Sequence, residues 1–135
     1  SRKTIQTFFA YLQDTTLAHG GDPNILSANG SARVIDATIL NERIDNIIQL
    51  IKAGADISRP YPSGETPLCT AAMSGSYEVV YVLLENGADP AVRDYQGRNI
   101  MDQIRENGAR GKALNADIYI YYEKTVALLK SRGLL

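Results

Sequence analysis

The side chains most able to do chemistry in this 135-residue chain are few. There is one histidine, His19, and one cysteine, Cys69. Together they could supply a general base and a thiolate nucleophile. Their settings argue otherwise. His19 stands just before Gly20-Gly21, where an imidazole at a helix end meets the last carbonyls and is favoured by the helix dipole. Cys69 lies between Leu68 and Ala71, among apolar and small residues, as an inert buried thiol would. One cysteine forms no internal disulfide, and no Cys/His set has the spacing of a structural zinc site. Asp22, Asp56 and Asp89 recur at intervals of 34 and 33 residues, which raises the idea of a metal ladder. A divalent ion needs its oxygens at about 2.3–2.6 Å, and carboxylates one repeat apart do not converge on one ion. An aspartate bonding the backbone of its own turn explains them better. No glycine cluster opens from a strand as a phosphate loop does. Cofactors and metals are therefore not expected.

Arginine and tyrosine are the remaining candidates: Arg59, Tyr61, Arg93, Tyr95 and Arg98. They make a thin nucleic-acid patch, because Glu65, Asp94 and Glu106 are interleaved with them and the whole chain carries a formal net charge of −1. Exposed Tyr and Arg are the usual anchors of protein contacts. Nothing is long and apolar enough to span a bilayer, so no membrane insertion is expected. The lone cysteine fits a reducing compartment such as the cytoplasm. A periplasmic or secreted location, with a leader removed ahead of Ser1, stays open.

These residues are positioned by a repeated frame. "GGDPNILSANG" (20–30), "GADISRPYPSG" (54–64) and "GADPAVRDYQG" (87–97) share glycine, a small residue, aspartate, seven residues and glycine. A fixed period of this size marks stacked repeats. After each closing glycine the apolar positions superpose: Val34, Leu68 and Met101, then Ala37, Ala71 and Ile104. Asn41, Gly75 and Gly108 follow as residues that tolerate a left-handed helix end. Each unit thus predicts a first helix of about two turns, with Thr66 as N-cap and Pro67 at its first position in the third unit. A second helix follows. In "DNIIQLIKAG" (45–54) and "EVVYVLLENG" (78–87), Ile47, Leu50 and Ile51 match Val80, Leu83 and Leu84 in one apolar stripe. Two short one-sided helices bury their apolar faces only by stacking on neighbours.

"GETPLCTAAMSGSYEVVYVLLENGADPAVRDYQ" (64–96) resembles an ankyrin repeat, with its Gly-x-Thr-Pro-Leu opening, paired alanines, Leu-Leu and Gly-Ala-Asp. The resemblance implies an all-α helix-turn-helix solenoid of about four units (1–29, 30–63, 64–96 and 97–135) forming a single domain with irregular caps. Where the family often has a histidine that ties neighbouring turns, this chain has Cys69, with Ile35 and Asp102 in the flanking units. Fewer polar ties between repeats are expected for that reason. About a dozen extra residues precede the last helix, expected to begin at an Asp117 N-cap and to turn Ile118, Tyr122, Val126 and Leu129 to one face. Two of the three tyrosines in "DIYIYYEK" (117–124) are expected to cover the end of the stack. At the front, Ile5, Phe8, Phe9 and Leu12 form a stripe on a helix reaching about Leu17.

The resemblance further implies a non-catalytic module, monomeric when free, that binds a protein partner through loop tips and inner helix faces. By register that strip takes Ser31, Ile39 and Leu40 from the second unit. The third unit supplies Tyr61, Ser63, Glu65, Met73 and Ser74. The fourth supplies Asp94, Tyr95, Arg98, Glu106 and Asn107. Ile39, Leu40 and Met73 would be apolar residues facing outward. The tyrosine-rich final helix is the alternative contact surface. Two other functions are weighed: a small inhibitor, such as a bacterial immunity protein neutralising a toxin or enzyme, and an enzyme or enzyme subunit with a site near the 109–116 insertion.

Overall fold

A computed structural model describes Ile39 and residues 44–60, 64–107 and 116–135. Five helices lie among the described residues, and no strand. They are α1 (Ile44–Lys52), α2 (Pro67–Met73), α3 (Tyr77–Glu85), α4 (Ile100–Asn107) and α5 (Ala116–Ser131). The chain divides into two compact units, Ser1–Ile57 and Ser58–Leu135. In the first, α1 buries Ile47 and Leu50, while Ile51 of the expected stripe is half-buried. The second unit holds the other four helices. Within it α2 packs on α3 and α4, and α3 packs on α5.

The local chemistry accounts for these elements. Thr66 is extended and its hydroxyl accepts from the Cys69 amide, with Pro67 opening α2. At the equivalent start of α4 there is no proline. Asn99 and Asp102 instead cap reciprocally: the Asp102 amide donates to Asn99 Oδ1 at 2.9 Å, and the Asn99 amide to Asp102 Oδ2 at 3.1 Å. Each device satisfies amides that a helix start leaves orphaned. At the other end, Gly87 has φ +97° and the Ala88 amide reaches back to Leu83 O at 2.9 Å. The same bond runs from Ala55 to Leu50 past Gly54, and from Leu134 to Leu129 past Gly133. This closing turn needs a left-handed residue, which glycine supplies without the steric cost of a Cβ.

The core of the second unit is built on α3. Tyr77, Val79, Val80, Val82, Leu83 and Leu84 are all buried, so α3 is covered on more than one side. The first-helix register is met as well, with Leu68, Ala71, Met101 and Ile104 buried. From α5, Tyr122 meets Tyr77 edge-on at 5.0 Å between ring centroids, and Tyr121 lies 6.0 Å from Tyr81. Tyr122 also donates its hydroxyl to Ile104 O, and Leu129 and Thr125 are fully buried. Past the end of α5, Arg132 Nη2 donates to Leu84 O at 3.0 Å and satisfies a carbonyl in the last turn of α3.

Some expectations change. Asp117 is not the N-cap of the last helix, which begins at Ala116; its carboxylate sits exposed in the first turn, where the dipole favours it. Ile39, expected to face outward, is only 3% exposed and belongs to the core. Polar bonds do join the 64–96 and 97–135 units: Gln103 Nε2 donates to Asp94 Oδ2 at 3.4 Å, and Arg93 Nη1 to Asp102 Oδ2 at 3.5 Å. The Cys69 thiol, at the family's histidine position, faces Val92 O at 3.8 Å within its own unit. The front helix, Val34, Ala37, Leu40, Asn41 and Gly108 lie outside the described residues.

Candidate functional site

The turn from Asp94 to Arg98 is densely hydrogen-bonded. The Asp94 amide donates to Arg98 O at 2.8 Å, and the Gly97 amide to Asp94 O at 2.9 Å. Asp94 Oδ1 accepts from the amides of Gln96 (2.8 Å) and Arg98 (3.0 Å). The remaining amide, that of Tyr95, donates to Glu65 Oε1 at 2.6 Å. All five amides of the turn therefore have acceptors. Gly97 takes φ +77°, the left-handed value that closes it. Arg93 adds a bond from its Nη1 to Gly97 O at 2.6 Å.

Asp94 was expected among partner contacts, and the structure corrects this. Its side chain is 0% exposed. Besides the two amides it accepts from Arg98 Nε at 3.2 Å and from Gln103 Nε2 at 3.4 Å. Burial by itself would raise its pKa. The amides of Arg98 and Gln96, followed by the charge of Arg98, more than reverse that and hold the carboxyl below its ordinary value. Asp94 is thus the internal post on which the turn is built. Arg98 is 28% exposed in its side chain and bridges Asp94 to the more exposed Glu106, whose Oε2 lies 2.8 Å from Nη1.

The other expected contact residues divide. Tyr95 is 71% exposed, its hydroxyl accepting from Gln96 Nε2 at 3.2 Å. Met73 ends α2 and is 42% exposed. Ser74 is exposed, but its hydroxyl caps α2 by donating to Thr70 O at 2.8 Å. Glu65 is half-buried and its Oε1 is committed to Tyr95. Asn107 is the last residue of α4. Tyr61, Ser31, Leu40 and Ser63 lie outside the described residues. Sequence register missed the role of Gln103, buried against Asp94, although an amide at a core position of an amphipathic helix is itself a signal of an internal partner.

The catalytic candidates gain nothing from the geometry. Cys69 is buried; burial pushes its thiol up, the Thr66 hydroxyl offsets part of that, and the carboxylates of Glu65 and Asp94 add to it. Such a thiol is a poor nucleophile. Asp89 Oδ1 accepts from the Ala91 amide at 2.9 Å, a local turn bond. Among the described residues no group of three or more His, Cys, Asp or Glu could hold a metal, and no helix is long and apolar enough to cross a membrane. His19, Asp22 and residues 108–115 lie outside the described residues.

The final helix offers a second surface. An open groove of about 560 Å³ is lined by Ile104, Tyr119, Tyr122, Val126, Ala127 and Leu135, with Glu123 and Lys130 beside it. The Tyr119 ring stacks on Tyr122, and Lys124 Nζ sits 4.9 Å from the Tyr121 ring centroid. Tyr121 and Tyr122 therefore face α3, while Ile120 is half-exposed to solvent.

Comparison with known proteins follows the same lines. The sequence is 27% identical over 105 residues to the ARF GTPase-activating protein GIT2 of Rattus norvegicus, covering 77% of this chain and 14% of that protein. It is 40% identical over 52 residues to the transient receptor potential cation channel subfamily A member 1 of Homo sapiens, covering 38% of this chain and 5% of the channel. It is 40% identical over 65 residues to the palmitoyltransferase AKR1 of Lachancea kluyveri, covering 46% and 8%. The matched region is thus a small part of each relative. The family profile of ankyrin repeats, in three copies, matches residues 10–101. With that match over more than half its length, and with helix pairs closed by glycine turns in repeat register, the chain belongs to the ankyrin-repeat family.

Proposed function

We propose that this chain is a non-catalytic protein-recognition module whose partner docks on the 94–98 turn and the residues around it. Ankyrin repeats in general mediate protein–protein interactions. The finer reading rests on one observation: a 71% exposed tyrosine stands on a turn whose five amides are all bonded. A large ring held on a fixed backbone loses little entropy on binding, and Tyr and Arg dominate the energetics of protein contacts. Met73, Arg98 and Glu106 supply further accessible atoms in the same compact unit, while Asp94 holds the turn from inside.

The test is affinity capture with three baits: the wild-type chain, Tyr95→Ala with Arg98→Ala, and Tyr119→Ala with Ile120→Ala. Captured proteins are quantified by mass spectrometry, and the affinity of any specific one is then measured. A partner anchored by Tyr95 should bind Tyr95→Ala about thirtyfold more weakly, corresponding to about 2 kcal/mol. The α5 pair should bind like the parent. The reverse pattern moves the site to the final helix and ends this reading.

A further inference from the structure

We infer that Glu65 is a positioning residue for Tyr95: it fixes the recognition turn from the opening of the same 64–96 unit without itself touching the partner. The inference deepens the reading above and rests on it. Four of the five amides of the 94–98 turn find acceptors within the turn: Arg98 O, Asp94 O and, twice, Asp94 Oδ1. The amide of Tyr95 alone looks outside, to a carboxylate 30 residues earlier in the chain. At 2.6 Å this is a short, charge-assisted bond, about twice as strong as a neutral one. It acts on the backbone of the residue that carries the exposed aromatic ring.

The position is chemically particular. Glu65 follows Gly64 as Arg98 follows Gly97 and Ser31 follows Gly30. An arginine at this register has donors only and accepts from nothing. A serine accepts without charge and with a shorter reach. The tether is therefore a feature of this tip and not of every repeat. Glu65 is half-buried with Oε1 taken up by Tyr95, whereas Glu106, nearer the surface, holds Arg98. Asp94 sets the shape of the turn and Glu65 sets where its tyrosine stands.

The experiment uses the full chain and two variants, Glu65→Ala and Glu65→Gln, with amide hydrogen exchange read residue by residue by NMR. Exchange at Tyr95 should accelerate tenfold or more in Glu65→Ala. Gln96 and Arg98, held by Asp94, should change by less than about twofold. Glu65→Gln keeps an acceptor and should restore part of the protection. The binding probe is a peptide selected from a displayed library on the wild-type chain and counter-selected against Tyr95→Ala. Its affinity should fall about tenfold in Glu65→Ala, recover in part in Glu65→Gln, and fall no further when Glu65→Ala is added to Tyr95→Ala.

Unchanged exchange at Tyr95 in Glu65→Ala overturns the tether. Faster exchange with undiminished peptide affinity overturns the positioning role. A loss that adds in full to that of Tyr95→Ala makes Glu65 a contact and also overturns it. If the library yields no Tyr95-dependent peptide, the recognition reading fails, and with it the positioning role; amide exchange still decides whether the tether exists.

Discussion

Asp94 and Glu65 are two carboxylates on one turn, and solvent access divides their roles. Asp94 has none and gathers two amides, a guanidinium and an amide side chain. Asp94→Ala should therefore destabilise the fold by about 2 kcal/mol, the range for hydrogen bonds to a charged group. Tyr95→Ala, a surface change, should stay within about 0.5 kcal/mol. Chemical denaturation of the two variants beside wild type checks the contrast. The sign of the pH effect follows from the depressed carboxyl: its contribution is present above the ordinary carboxylate value and is lost as pH falls through the folded one. Position in the repeat placed both among the expected contacts and did not show that Asp94 is buried. It could not reveal that a neighbour 30 residues away would use up the Glu65 oxygen, because periodicity says nothing about which polar atoms are satisfied.

At the scale of helices, α2 buries the small residues Ala71 and Ala72 where it packs on α3 and α4. Ala71 is 3% exposed, and a larger side chain there should overpack the site at about 1–3 kcal/mol. Ala71→Leu is expected to lower the thermal midpoint by several degrees in calorimetry. The pairing of α3 with α5 carries its own pH dependence. Burial, with a smaller contribution from Tyr122, pushes the Tyr77 hydroxyl up to about 12. A raised folded value means that the protonated form is the one folding favours. Stability should be full below about 10 and decline as pH rises toward about 12. Tyr77→Phe should flatten that decline in denaturation curves recorded across this range. The α2, α3 and α4 registers were readable because apolar residues recur with helical spacing: Leu, Val and Ala in α2 and α3, Ile and Met in α4. The start of α5 was not, since an aspartate suits a first turn as well as a cap. Ile39 misled because register assigns a residue to a side of its repeat without showing what covers that side.

For the whole molecule, charge sets a limit on partners. Fourteen basic and 15 acidic side chains leave a formal charge of −1. The arginines near the tip are neutralised locally, Arg98 by Asp94 and Glu106 and Arg93 by Asp102. Counterion release, which drives binding to polyanions, has little to act on here. A duplex oligonucleotide should cause no mobility shift with this chain at physiological salt; a shift would point to a basic surface elsewhere. The glycine turns at Gly54 and Gly87 have a different bearing. Their left-handed residues stand 33 apart with φ of 99° and 97°, each followed by alanine and aspartate. A copy of residues 55–87 inserted after Gly87 would leave and rejoin the chain at the same backbone angle. The gene can therefore lengthen or shorten in whole modules, and the binding surface can be revised by duplication and loss without any new turn having to be invented.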